Sequence, residues 1–148
     1  AEYESISLAV STVNIPVIAN GDIETPRQAS DVLQKTGAAA VMIGRAALGK
    51  PWIFRDFENS LPNGTPSHRL LQSEKNEIIN RHLRAIHGFY GETQGVRIAR
   101  KHVGWYLREI PSGRGFTRHF NSLSAARSQI DALTEFFKDN ESFRDRAA

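Results

Sequence analysis

Two glycine-containing turns and one cationic stretch hold the residues of this chain best suited to chemistry. Asn20-Gly21-Asp22 and Gly44-Arg45 each follow a short apolar run. A glycine there lets an anion approach backbone N–H groups, and a short helix starting near Arg45-Ala46-Ala47 would point its positive end at that anion. Arg45 adds a charge-assisted donor. Phosphate binding and plain closure of tight turns both fit these residues. In the second group, Arg97, Arg100, Lys101, Gly104 and Arg108 fall within an arc of about 100° at helical spacing. Val96, Ala99, Val103, Tyr106, Leu107 and Ile110 occupy the neighbouring arc. Such a cationic stripe beside a packing stripe suits a nucleic-acid backbone, and it suits a solvated face equally well. Gly104 would leave the backbone open to a phosphate. Trp105 projects away from the stripe, for packing or for stacking on a base. His102 fits a phosphate donor, a carbonyl cap or a plain surface histidine. The run 112–119, SGRGFTRH, carries Arg114 and Arg118 and is expected as a connector, either mobile or touching a sugar-phosphate chain.

Other chemistries find little support. The chain has no cysteine, which excludes disulfides, zinc-thiolate sites and a cysteine nucleophile within it. His82 and His87 are five apart on one expected helix, not four as a helical metal pair would be, so no metal site is expected. No Ser/His/Asp arrangement stands out, and no catalytic residue is assigned. The opening AEYESISLAV is acidic where a leader would be basic, and no run reaches the roughly 18 apolar residues of a membrane helix. A cytoplasmic protein without membrane contact is expected. The formal net charge is +3 over 148 residues, but it is uneven: −2 for residues 1–67, +6 for 68–120 and −1 for 121–148, with all five histidines in the middle block. A basic segment between acidic ones points to a polyanion partner.

The elements that must position these residues are legible in part. A short helix over residues 3–13 precedes a buried strand at 15–19. Thr25-Pro26-Arg27-Gln28 has the form of a capping box opening a helix with Val32 and Leu33 inward, and Gly37 should end it. A second strand is expected at 39–43. Strand, helix and strand with tight connections form a parallel βαβ unit. Two strands alone would leave a sheet with unpaired edges, so the first 50 residues look like the end of a larger α/β domain. Pro51-Trp52-Ile53-Phe54 opens another helix, and the Pro/Gly-rich stretch 61–67 marks the boundary. Beyond it, Ile79, Leu83, Ile86 and Tyr90 predict a helix stopped by Gly91. The apolar stripe from Val96 to Ile110 predicts a second, ended by Pro111-Ser112-Gly113. Ala126, Ile130, Leu133 and Phe137 predict a third, with Ser122 and Ser124 as cap candidates. Carboxylates from Asp131 to Asp145 are expected as solvated surface. Short connections suggest an antiparallel bundle.

The runs IPVIANGDI (15–23), TGAAAVMIGRAA (36–47) and PWIF (51–54), with GVRIARKH (95–102) and Trp105-Tyr106, resemble bacterial tRNA-dihydrouridine synthases, in particular the B-type subgroup. The resemblance covers nearly the whole chain and implies an α/β fragment, the last two βα units of a TIM-type barrel, followed by an all-α helical bundle. It implies residues 1–61 as the end of the FMN barrel, 62–67 as linker and 68–148 as a tRNA-binding domain. Asn20, Gly21, Asp22, Gly44 and Arg45 become FMN contacts on the phosphate side. Arg97, Arg100, Lys101, His102, Arg108, Arg114 and Arg118 become candidates for tRNA contact. The family reduces uridine to 5,6-dihydrouridine with NADPH-reduced FMN and a cysteine general acid. That cysteine and the first six strands have no counterpart here, so the chain by itself is expected to be inactive and to need the missing N-terminal part of the barrel. A non-catalytic RNA-binding or regulatory module, and another phosphate-binding barrel enzyme, are the alternatives.

Overall fold

The computed structural model describes residues 2–60 and 70–145, with side chains through residue 140. The chain divides into two compact units, Ala1–His68 and Arg69–Ala148. The expected linker at 62–67 lies outside the described residues, as does the side chain of Asp145.

In the first unit, α1 (Glu4–Thr12), β1 (Ile18–Asn20), α2 (Pro26–Thr36), β2 (Ala40–Met42), a 3₁₀ turn (Arg45–Ala47) and α3 (Ile53–Ser60) follow in order. The strands pair in parallel with Ala19 opposite Val41. Thr25 caps α2: its hydroxyl accepts from the Gln28 N–H at 3.2 Å, while Gln28 Oε1 accepts the Thr25 N–H at 3.0 Å. Pro26 takes the first turn, where no N–H partner is needed. Gly37 ends the helix in the left-handed region at φ 69°. Ala19, Ile23, Ala29, Val32, Ile53 and Phe57 form the core.

The strands depart from expectation in length and burial. Each has three residues rather than five. Ala19 is fully buried, but Ile15, Ile18 and Met42 are 72%, 55% and 54% exposed. The cause is the period of a strand: Ala19 and Val41 face α2, while Ile18, Asn20, Ala40 and Met42 point to the opposite face. Among the described residues no element covers that face.

The second unit is helical. The span α4 (Gln72–Tyr106) consists of two helical arms that meet at Gly91, whose φ 72° and ψ 179° are not helical. His82 Nδ1 lies 2.7 Å from the Tyr106 hydroxyl. A straight helix would hold residues 24 apart at about 36 Å, so the arms 72–90 and 92–106 fold back on each other. Gly91 thus stops the first arm as its sequence predicts. At Gly95 the arms approach closely: a Cβ there would stand 2.9 Å from His87 Cα. Helices α5 (Gly113–Ser122) and α6 (Ala126–Asp145) pack on α4 and on each other.

Four expectations change here. The second arm ends at Tyr106, short of Ile110, which is only half-buried. The expected connector 112–119 is mostly helix α5. Tyr90 is 50% exposed rather than in the core, because the chain is already leaving the helix at Gly91. Neither Ser122 nor Ser124 caps α6; Glu92 does so from the hairpin turn, its Oε1 accepting the Ala126 N–H at 2.7 Å. Ile79, Leu83, Ile86, Val96, Ala99, Val103, Phe120, Ile130, Leu133 and Phe137 are buried. Gln129 is buried among them without solvent contact. Its amide donates to the Val96 carbonyl at 3.2 Å and accepts from His87 Nε2 at 2.9 Å, joining both arms to α6. Since an amide oxygen can only accept, His87 carries its proton on Nε2.

Candidate functional site

The turns after the two parallel strands meet in one hollow of about 240 Å³, whose lining includes Asn20, Gly21, Asp22, Gly44 and Arg45, with Glu24 and Met42 beside them. All five residues expected as phosphate-side contacts are therefore brought together. The hollow is smaller than the roughly 300–1,000 Å³ that encloses a whole cofactor-sized ligand, and it suits one end of such a ligand. Parallel pairing is what aligns the turns, because both strands deliver their C-terminal ends to one edge. Gly21 has φ 147° and Asp22 φ 47°, a left-handed region that glycine and aspartate tolerate best. Tyr3, just ahead of α1, holds this turn by donating its hydroxyl proton to the Gly21 carbonyl at 2.6 Å. At Gly44 a Cβ would meet nothing within 4 Å, so internal packing does not require the glycine and the backbone stays open.

The short helix expected near Arg45 is a three-residue 3₁₀ turn, Arg45–Ala47. Its first ring closes from the Ala47 N–H to the Gly44 carbonyl at 3.1 Å, which leaves the N–H groups of Arg45 and Ala46 ahead of the helical bonding. A three-residue turn adds little dipole, so individual N–H groups and Arg45 must carry any anion binding. Arg45 Nη2 donates to Asp22 Oδ1 at 2.5 Å, with the two side chains 86% and 56% exposed. So open a pair contributes little to stability, but it points the guanidinium across the mouth of the hollow. Asp22 is the carboxylate partner of the Arg45 guanidinium in this contact. The pair is open to inference from sequence, since parallel neighbours put their turns side by side. The Tyr3 anchor leaves no sequence signal.

The expected cationic residues separate into four placements. Arg97 and Lys101 are exposed on the second arm, and Lys101 Nζ stands 5.1 Å from the Trp105 ring centroid. Arg100 is half-buried and donates to the Leu123 carbonyl at 3.2 Å, tying the arm to the α5–α6 connection. Gly104 is half-buried, and α5, not expected in the sequence, borders it: Thr117 Cγ2 is 4.0 Å from the position of a Cβ. Arg108 is exposed but lies beyond the helix end, outside the continuous stripe. Arg114 and Arg118 are exposed on α5 at i, i+4, and so share one face.

His102 packs edge-on against His82 and Trp105, with ring centroids 4.9 and 5.1 Å away. Burial, then the neighbouring His82 and Lys101, lowers its pKa from the ordinary histidine value. Burial lowers that of His82 as well and pushes Tyr106 up to about 12. Tyr106 therefore keeps its proton at neutral pH and can donate it to an uncharged His82. This group closes the hairpin as a polar cluster in which burial favours the uncharged form of both histidines.

Comparison with known proteins gives a consistent result. The sequence model of the dihydrouridine synthase family matches residues 1–142. The chain is 47% identical over 154 residues to a tRNA-dihydrouridine synthase B of Pseudomonas syringae pv. tomato, covering 100% of this chain and 46% of that protein. It is 51% identical over 137 residues to the protein of the same name from Vibrio parahaemolyticus, covering 93% and 42% respectively. With the Pseudomonas aeruginosa protein of that name it shares 45% identity over 141 residues, 95% of this chain and 42% of the relative. The chain thus spans less than half the length of the curated relatives it matches.

Proposed function

The chain belongs to the dihydrouridine synthase family, and on that premise we propose that it supplies the phosphate end of an FMN site and a tRNA-binding helical unit to an enzyme that reduces uridine to 5,6-dihydrouridine in tRNA. The observation that carries this is the convergence of both strand-end turns, with Gly21, Gly44 and Arg45, on one anion-sized hollow. When bound, FMN reduced by NADPH supplies the hydride for the uridine C5–C6 double bond. The residues of this chain bind and orient: Gly21 and Gly44 let the phosphate reach backbone N–H groups, and Arg45, steadied by Asp22, adds charge. The uncovered side of the two strands fits the interior of a larger barrel, with Ile18 and Met42 as inward residues. The general acid must come from outside the chain, which has no cysteine. Arg97, Lys101, Arg108, Arg114 and Arg118 are the exposed cations for tRNA, while Arg100 positions the arm and His102 offers an N–H.

Flavin retention tests this reading. Titrated into the chain alone, FMN should bind more weakly than the micromolar range, because only one end of the cofactor is held. In the complete enzyme, Arg45→Ala should cost roughly 1–3 kcal/mol of flavin binding, about a tenfold to hundredfold loss. Flavin content read from visible absorbance checks it, and unchanged content would remove Arg45 from the site.

A further inference from the structure

We infer that the groove between the first arm of α4 and helix α6 is a second contact surface for tRNA, gripping phosphates with Arg81, Arg84 and Lys138 and a ribose hydroxyl with Asn80. This rests on the tRNA reading above and assigns it a face that the Arg97–Lys101 stripe does not include. Arg81 and Arg84 are three apart and share one side of the arm. Lys138 comes from α6 across a hollow of about 530 Å³. The three cations are exposed and form no ion pair among the described residues, and Glu77 is the one carboxylate lining the hollow with them. Three cations against one carboxylate leave this concave surface with a net positive charge, which attracts a polyanion.

The groove also carries a feature that favours RNA. Asn80 Oδ1 is covered from solvent and has no hydrogen-bond donor. A buried acceptor left unpaired costs about 1–3 kcal/mol, and the amide gives up nothing by turning into the groove when a donor arrives. A phosphate diester has no proton to give; a ribose 2′-hydroxyl does, and DNA lacks it. The groove lies on a different flank of the first arm from the hairpin contact. At 100° per residue, Asn80 and Arg84 fall about 90–130° to one side of the buried Ile79–Leu83–Ile86 face, Arg81 lies next to Arg84 opposite that face, and His82, which meets the second arm, falls about 70° to the other side. An RNA strand can therefore use this groove without displacing the second arm.

Filter binding of tRNA to the chain between about 50 and 200 mM salt tests the proposal. The variant Arg81→Ala/Arg84→Ala/Lys138→Ala should bind about tenfold or more weakly at the low end, and its log–log salt slope should fall by roughly two to three. Its helical circular dichroism should match the wild type, since all three side chains are exposed, and Arg81→Lys/Arg84→Lys should keep the wild-type slope. Asn80→Ala should narrow the preference for RNA over DNA of the same sequence. Wild-type affinity and slope in the triple variant, beside lost binding in Arg97→Ala/Lys101→Ala, would overturn the groove and leave the tRNA reading standing. A wild-type chain that binds no tRNA would overturn both.

Discussion

Val103→Asp is expected to abolish the cooperative fold of the helical unit. Val103 is fully buried on the second arm, and an isolated carboxylate placed there loses its hydration without gaining a partner. Such a burial costs several kcal/mol, comparable to the whole stability of a domain this size. Circular dichroism at 222 nm and thermal melting would show a chain without a sharp transition, and a native-like melt would mean that the arm can rotate this position to water. The companion variant Arg97→Ala/Lys101→Ala should melt as the wild type does and lose only tRNA affinity, because both side chains are exposed. Folding and binding then fail separately. Arg100 does not belong in that binding test: its guanidinium is engaged with the Leu123 carbonyl, so removing it would disturb both properties at once.

Gly113→Ala carries the next largest expected effect. A Cβ at this first residue of α5 would stand 2.2 Å from the Leu107 carbonyl oxygen and 3.0 Å from Leu107 Cβ. Leu107 is itself buried, and the Gly113 N–H already donates to the Ile110 carbonyl at 2.8 Å, so the obstacle is backbone held in a tight turn. Relief requires α5 to shift away from α4. Overpacking of this kind costs about 1–3 kcal/mol or more, and a loss of about 2–3 kcal/mol lowers the melting temperature of a unit this size by roughly 10–20 °C. Gly115→Ala is the control two residues on. Nothing lies within 4 Å of a Cβ there, and alanine is the better helix former by up to about 1 kcal/mol. If both substitutions shift the melt alike, the close approach at Gly113 is not what limits α5.

Features governed by neighbouring residues are legible in the sequence. The capping box at Thr25, the left-handed stop at Gly37 and the break at Gly91 each follow from a few adjacent side chains. The meeting of the Asn20–Asp22 and Gly44–Arg45 turns is also accessible, since parallel pairing forces it. What escapes depends on distant partners. The run 112–119 reads as a loop on its glycines and flanking proline; it becomes helical because α4 and α6 give Phe120 a place to bury and because Gly113 fits against Leu107. Arg100 looks identical in kind to Arg97 until the Leu123 carbonyl comes within reach. Ser122 and Ser124 have the right chemistry to cap α6, but the donor at Ala126 is taken by a glutamate 34 residues earlier. Gln129 has no local sign of burial, since both of its partners lie on the arms of α4.

That long-range cap also gives the helical unit an order in time. The His82–Tyr106 hydrogen bond between the arms of α4 closes a loop of 24 residues, whereas Glu92 to Ala126 and His87 to Gln129 span 34 and 42. Shorter closures come at lower entropic cost, so the hairpin is expected to form early and α6 to dock late. In the native state the same sequence runs backwards, with α6 the first helix to lift away. The Ala126 amide loses its partner at that moment and at no earlier one, which makes its hydrogen-exchange rate a clock for the opening of α6. Amides in the middle of the α4 arms should exchange through the slower, global event.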